Sequence, residues 1–176
     1  MLVQRQLACE EATVVELSVL QQRFGSELVE STFRDNRRID VPAAKAFDIL
    51  SALKSDFGFD MLVDITAVDY LEYEGATDRF GVVYMLLNVA TGERLMIRTA
   101  LNLPDAKLPS VYSLWKGADW MEREVYDMFG ITFPGHPDLR RILMPEEFEA
   151  FPLRKDYPLK GRGERHNFPI ITRSGS

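Results

Sequence analysis

Six of the nine prolines in this chain fall between residues 134 and 169. Proline lacks a backbone N–H and fixes φ, so it stops helices and is kept out of central strands. No periodic apolar run longer than a few residues survives after Phe133, so residues 134–176 cannot build a core of their own. A single folded domain is therefore predicted over 1–133, followed by an extended Pro-rich C-terminal arm over 134–176. The arm keeps apolar anchors, Leu143, Phe148, Phe151, Leu153, Tyr157 and Phe168, interleaved with arginine and lysine. A bare linker accounts for the prolines alone; an arm lying on another surface accounts for the anchors too.

Charge follows the same division. Residues 1–150 hold 15 basic and 25 acidic side chains, net -10, whereas 151–176 hold six and two, net +4. A basic arm on an acidic body suits docking on an acidic neighbour. The overall charge of -6 excludes nucleic acid as a natural partner, since phosphate binding needs a basic stripe. Cys9 is the single cysteine, which excludes a disulfide framework and a thiolate cluster for zinc or iron–sulfur and fits a reducing compartment. No apolar run reaches the ~18 residues of a spanning helix, and the N-terminus lacks a signal-peptide core. A soluble, cytoplasmic protein is expected, with membrane contact only through partners.

Within the body, Thr13-Val14-Val15-Glu16 has capping-box spacing ahead of a helix predicted over 14–24. Residues 27–33 and 37–41 alternate in polarity around Asp35-Asn36 and read as a hairpin. Pro42 opens a second helix whose apolar face, Ala43, Ala46, Phe47, Leu50, Leu53 and Phe57, stops at Gly58. Residues 59–68 and 80–89 are apolar on both parities, as strands at the centre of a sheet covered on two sides would be. Residues 93–101 read as a more exposed partner joined through Thr91-Gly92. The fold class is α+β, a mostly antiparallel or mixed sheet backed by helices.

Chemistry concentrates between Trp120 and Leu143. A helix over 118–129 ends at Gly130 and groups Met121, Val125, Met128 and Phe129 into an apolar stripe. Trp120, Arg123, Glu124 and Asp127 share the adjoining face, which on spacing alone is most often a solvated side with weak ion pairs. Glu122, Glu124, Asp127 and His136 are the acid–base candidates for a free-standing enzyme. His136 and His166 have no second ligand at helical or turn spacing, so neither suggests a metal site. Gly161-Arg162-Gly163 lacks the third glycine and the strand and helix of a nucleotide loop.

Glu122-Arg123-Glu124, then Asp127, His136 and Arg140-Arg141-Ile142-Leu143, resembles the signature of the C subunit, or thirty-kilodalton subunit, of proton-pumping NADH:quinone oxidoreductase, respiratory complex I. Asp69-Tyr70, Pro109-Ser110-Val111 and the run from Pro152 to Leu159 are similar to the same family, and the resemblance spans roughly residues 25–160. It implies a cofactor-free structural subunit of the peripheral arm. Neighbouring subunits would carry FMN, iron–sulfur clusters and quinone. The partners implied are the large subunit beside the quinone site and the adjacent iron–sulfur subunits, on the cytoplasmic side of a bacterial inner membrane. Partner contact is assigned to Trp120, Glu122, Arg123, Glu124, Asp127, His136, Arg140, Arg141, Arg154, Lys155 and Tyr157. Arg123 is expected at a contact with another subunit or with the arm, and Pro152–Ser176 is expected to be mobile until a partner buries its anchors. A related complex with another quinone or electron donor, such as a hydrogenase, is the alternative within the resemblance.

Overall fold

A computed structural model describes residues 15–163 of the chain. Cys9, Thr13 of the capping box, and Arg165, His166 and Phe168 of the arm lie outside the described residues. The elements run α1 (Leu17–Phe24), β1 (Val29–Phe33), β2 (Asn36–Val41), a short 3-10 turn (Ala43–Lys45) into α2 (Ala46–Ser55), β3 (Met61–Asp69), β4 (Phe80–Leu87), β5 (Arg94–Leu101) and α3 (Ala118–Phe129). The first helix starts three residues later than predicted, with the extended residue Glu16 at its N-cap. The bounds of α3 agree with the sequence period, and Gly130 closes the helix in the left-handed region at φ +73°.

One five-stranded mixed sheet has the order β1-β2-β5-β4-β3. The α+β class stands, but two expectations about the sheet do not. β5 occupies the centre, because β2 pairs with it in parallel after the chain has passed through α2, β3 and β4. β3 lies at an edge, and its apolar residues on both parities follow from a register shift between Leu62 and Asp64. That bulge moves the buried positions from Leu62 to Ile65, Ala67 and Asp69.

All the helices share one core with one face of the sheet. Ile39 and Val41 of β2, Val82, Tyr84 and Leu86 of β4, and Leu95 and Ile97 of β5 meet Leu20 of α1, Leu50 and Leu53 of α2, and Val125 and Phe129 of α3. Phe80 and Phe129 touch edge to face at 6.5 Å, fixing the C-terminal end of α3 over the sheet. On the opposite face Tyr70 covers Gly81 and Arg98 at one end, and the other end, with Met61, Val63, Met85 and Met96 at its alternate positions, has no helix of this chain over it among the described residues.

Residues 134–163 contain no helix or strand, as the prolines require, yet they are not detached. Leu153 N–H donates to the Met128 carbonyl at 3.1 Å, and Phe148 is buried.

Candidate functional site

α3 is amphipathic in sequence and nearly surrounded in space. Its buried residues are Ala118, Glu122, Arg123, Val125, Asp127, Met128 and Phe129. Each of the three buried ions has its own set of partners, and most of those partners are backbone groups of other segments.

Asp127 captures the turn after the arginine pair. Its Oδ2 accepts N–H bonds from Ile142 at 3.0 Å and from Leu143 and Met144 at 2.8 Å each, while Arg141 Nη1 donates to Oδ1 at 2.6 Å. Burial alone would raise this carboxyl, but the three N–H donors and the guanidinium outweigh it and hold the group below its ordinary range. Arg141 also reaches the Ala150 carbonyl at 3.1 Å and lies over the rings of Phe148 and Phe151. One turn earlier, Arg123 donates from Nε to the Arg140 carbonyl and from Nη2 to the Arg141 carbonyl, both at 3.2 Å. Asp127 and Arg123 thus hold successive peptides of residues 140–144, one by their N–H groups and the other by their carbonyls.

Glu122 faces the opposite way, onto the loop before the helix. The Ser110 hydroxyl donates to its Oε2 at 2.6 Å and Val111 N–H to its Oε1 at 2.7 Å. Its side chain has no exposed surface, and burial pushes its pKa above the ordinary 4.5 despite these two bonds. His136 is equally enclosed. Its Nδ1 accepts from Asp138 N–H at 3.1 Å, so the ring proton sits on Nε2, 3.1 Å from the Asp119 carbonyl. The 4.0 Å between His136 Nε2 and Glu122 Oε2 is too long for a hydrogen bond.

A second clamp forms at the end of β3. Asp69 takes a two-pronged bond from Arg79 at 2.7 and 2.8 Å, and accepts from Leu71 N–H at 3.0 Å and Lys155 N–H at 2.8 Å. Arg79 Nη2 also reaches Asp156 at 3.0 Å, while Arg154 donates to the Phe129 carbonyl and stacks on Phe151. Burial raises the Asp69 carboxyl, and Arg79 with the backbone donors more than reverses this, leaving it lowered.

The eleven residues expected at a partner contact therefore separate. Glu122, Asp127 and His136 have side chains with no exposed surface in this chain. Arg123 and Arg141 are mostly enclosed and grip the chain's own backbone; Arg154 and Tyr157 are half-buried, Tyr157 lying against Phe148. Trp120, Glu124, Arg140 and Lys155 are exposed. The acid–base group does not assemble, because Glu124 points to solvent while Glu122 and Asp127 serve separate loops. Ser110 and Arg79 take structural roles the sequence did not assign, while Phe151 anchors the segment against Tyr126, Arg141 and Arg154. For Arg79 the one available signal was Asp69, a carboxylate ending an apolar strand. Among the described residues no group of three or more His, Cys, Asp or Glu is placed to hold a metal ion, and no helix is long and apolar enough to cross a membrane.

Fold and site together define an α+β domain whose last helix clamps a proline-rich segment onto its own body. Residues 39–163 match the family described as the 30 kDa subunit of respiratory-chain NADH dehydrogenase, and the chain belongs to that family. It is similar to the C subunit of NADH-quinone oxidoreductase from Trichlorobacter lovleyi, 44% identical over 145 residues, covering 82% of this chain and 88% of the relative. The C subunit from Citrifermentans bemidjiense is 42% identical over 143 residues, 81% of this chain and 87% of that one. Among solved structures, a trypsin-resistant fragment (1–134) of Nqo5 superposes with a TM-score of 0.63 at 35% identity, covering 69% of this chain and 97% of the fragment. A chain of the membrane-bound sulfane sulfur reductase, an archaeal respiratory membrane complex, gives a TM-score of 0.69 at 27% identity over 90% of this chain and 92% of its own.

Proposed function

We propose that this chain is a cofactor-free structural subunit of the peripheral arm of NADH:quinone oxidoreductase. It sits against the large subunit beside the quinone site and the adjacent iron–sulfur subunits, attached to the membrane only through them. The complex transfers electrons from NADH through FMN and iron–sulfur centres to quinone and couples this to proton translocation; this chain positions its neighbours.

The observation that carries the reading is what is left exposed after the ions are satisfied. Trp120, Leu143 and Leu153 are 61%, 61% and 53% exposed on α3 and on the segment it clamps, beside the exposed ions Glu124, Arg140 and Lys155. Large apolar side chains ringed by charges are the composition of a protein interface. A free-standing acid–base enzyme would instead need an accessible pair of titratable groups, and the acid and base candidates here are enclosed or apart. The fit of a trypsin-resistant fragment to 69% of this chain supports a compact body, and the proline-rich segment clamped onto it offers Leu143, Leu153 and Lys155 to a partner.

Affinity purification of the tagged chain from its native membranes tests this. The expected result is co-purification of flavin- and iron–sulfur-bearing subunits with NADH:quinone reductase activity. Recovery of the chain alone from the soluble fraction would refute it. The likeness to the sulfane sulfur reductase chain favours, as a second reading, a related respiratory complex with another donor, and a purified complex that ignores NADH would select it.

A further inference from the structure

We propose that the open face of the sheet is a second docking surface, which takes an apolar, carboxylate-bearing segment from another subunit of the same complex. The proposal rests on the chain being a subunit of that complex, and it concerns the side of the sheet away from α3.

When one face of an antiparallel sheet meets water, its outward positions are normally polar. Here they are not. In register, Met85 of β4 stands opposite Met96 of β5, and Leu87 of β4 opposite Met61 of β3. Val63, displaced by the bulge, adds to the same surface, and Met61 and Val63 remain 47% and 44% exposed. These side chains line a groove of about 350 Å³ that none of the core residues enters except at its floor. Methionine is an adaptable contact residue, and three of them meet here across adjacent strands.

Charge identifies the occupant. Arg37 and Arg94 both line the groove, but Arg37 is held by Glu30 and by Glu93 at 3.1 Å. Arg98 is likewise matched, by Asp40 at 3.2 Å. Arg94 makes no ion pair or hydrogen bond among the described residues, although the chain as a whole carries -6. A guanidinium left unmatched beside an apolar groove calls for a partner carboxylate, with apolar side chains beside it to cover the methionines. An anionic lipid surface fits less well, because Asp64 stands opposite Met85 on the same face.

The test places a photo-reactive phenylalanine analogue at Val63 in one sample and at Leu153 in another, each assembled into the complex and purified from native membranes. Both positions are exposed, so neither change disturbs the core. The expected result is a cross-link from Val63 to a peptide of another subunit that bears apolar residues and an Asp or Glu. Arg94→Glu should lower its yield about fivefold, and Arg94→Lys should retain most of it. A cross-link to a second copy or to another part of this chain overturns the proposal, as does insensitivity to Arg94→Glu. If Leu153 cross-links to a neighbour and Val63 does not, the second surface is refuted while subunit membership stands. If neither does, the second surface is refuted as well, and subunit membership is decided by whether the other subunits co-purify with the chain.

Discussion

Asp127 on α3 and Arg141 in the proline-rich segment form an ion pair, 2.6 Å from Oδ1 to Nη1, in which the carboxylate has no exposed surface. The same carboxylate gathers the N–H groups of three consecutive residues, 142–144. One side chain thereby orders a turn that has no secondary structure of its own. Asp127→Asn keeps the shape but leaves Arg141 without its counter-charge and turns one acceptor into a donor. A loss of about 3 kcal/mol in urea denaturation is expected, because removing one partner of an enclosed pair strands the other. Faster proteolysis between residues 139 and 150 should accompany it. A change under about 1 kcal/mol would make the pair an ordinary surface contact.

The acid limb of stability should carry two opposite signatures. Asp69 and Asp127 titrate below their ordinary 3.8, so their contribution is complete above that pH and is lost as pH falls through the lowered values. Wild type and Asp127→Asn should therefore converge below 3.8. Glu122 is raised above its ordinary 4.5, so its contribution is complete below 4.5 and is lost as pH rises through the raised value. Gln at this position can still accept from Val111 N–H and donate to the Ser110 hydroxyl, as a protonated Glu would. Relative to Glu122→Gln, wild type should lose stability as pH climbs above 4.5 and then level off. Parallel denaturation curves of the two proteins across that range would show that burial does not disfavour the Glu122 charge.

Gly130 makes the clamp possible through what it lacks. At φ +73° a Cβ would lie 2.5 Å from Arg154 Nη2 and 2.6 Å from two ring carbons of Phe151. Gly92 has a similar φ of +76° with nothing within 4 Å, so it isolates the backbone part of the effect. Gly92→Ala should destabilise by about 1 kcal/mol. Gly130→Ala should cost about 1–3 kcal/mol more, as Phe151 and Arg154 are pushed off α3. Equal losses in thermal denaturation would mean that Phe151 and Arg154 are not seated there.

Much of this fold could be read from residue identity. The limits of α3 follow from an apolar period and a glycine, and the lack of helix and strand over 134–163 follows from the prolines. The order of the sheet was not legible. The alternation of residues 93–101 is that of an exposed strand, and only the parallel pairing with β2 places β5 in the centre. Nor were the roles of the ions legible. Asp127 and Arg123 bind mainly backbone N–H and carbonyl groups, and Asp69 takes half of its bonds from backbone N–H groups, which every residue carries and no sequence pattern marks. Arg123 shows the consequence: the sequence leaves its contact open between another subunit and the arm, and its guanidinium holds the carbonyls of Arg140 and Arg141 in the arm.

Trp120 is the residue that separates assembly from folding. It is 61% exposed and rests on the Arg123 guanidinium, 5.2 Å from its ring, with no other aromatic or ionic contact among the described residues. An exposed cation–π contact contributes about 0.5–1 kcal/mol, so Trp120→Ala should move the melting temperature of the isolated chain by only a few degrees. At an interface, by contrast, a tryptophan seated in a partner's pocket is the residue type that most often dominates binding, with losses of about 2 kcal/mol or more on truncation. That corresponds to roughly a thirtyfold weaker hold on the complex. Arg123→Ala is the contrasting variant. It removes two bonds to backbone carbonyls and should loosen residues 140–144 in the isolated chain as well as in the complex. Retention of tagged chain on purified membranes, measured beside melting of the free chain, reads both effects. Wild-type retention of Trp120→Ala would show that the outer side of α3 faces water, and the docking surface would have to be sought at Leu153 and Lys155.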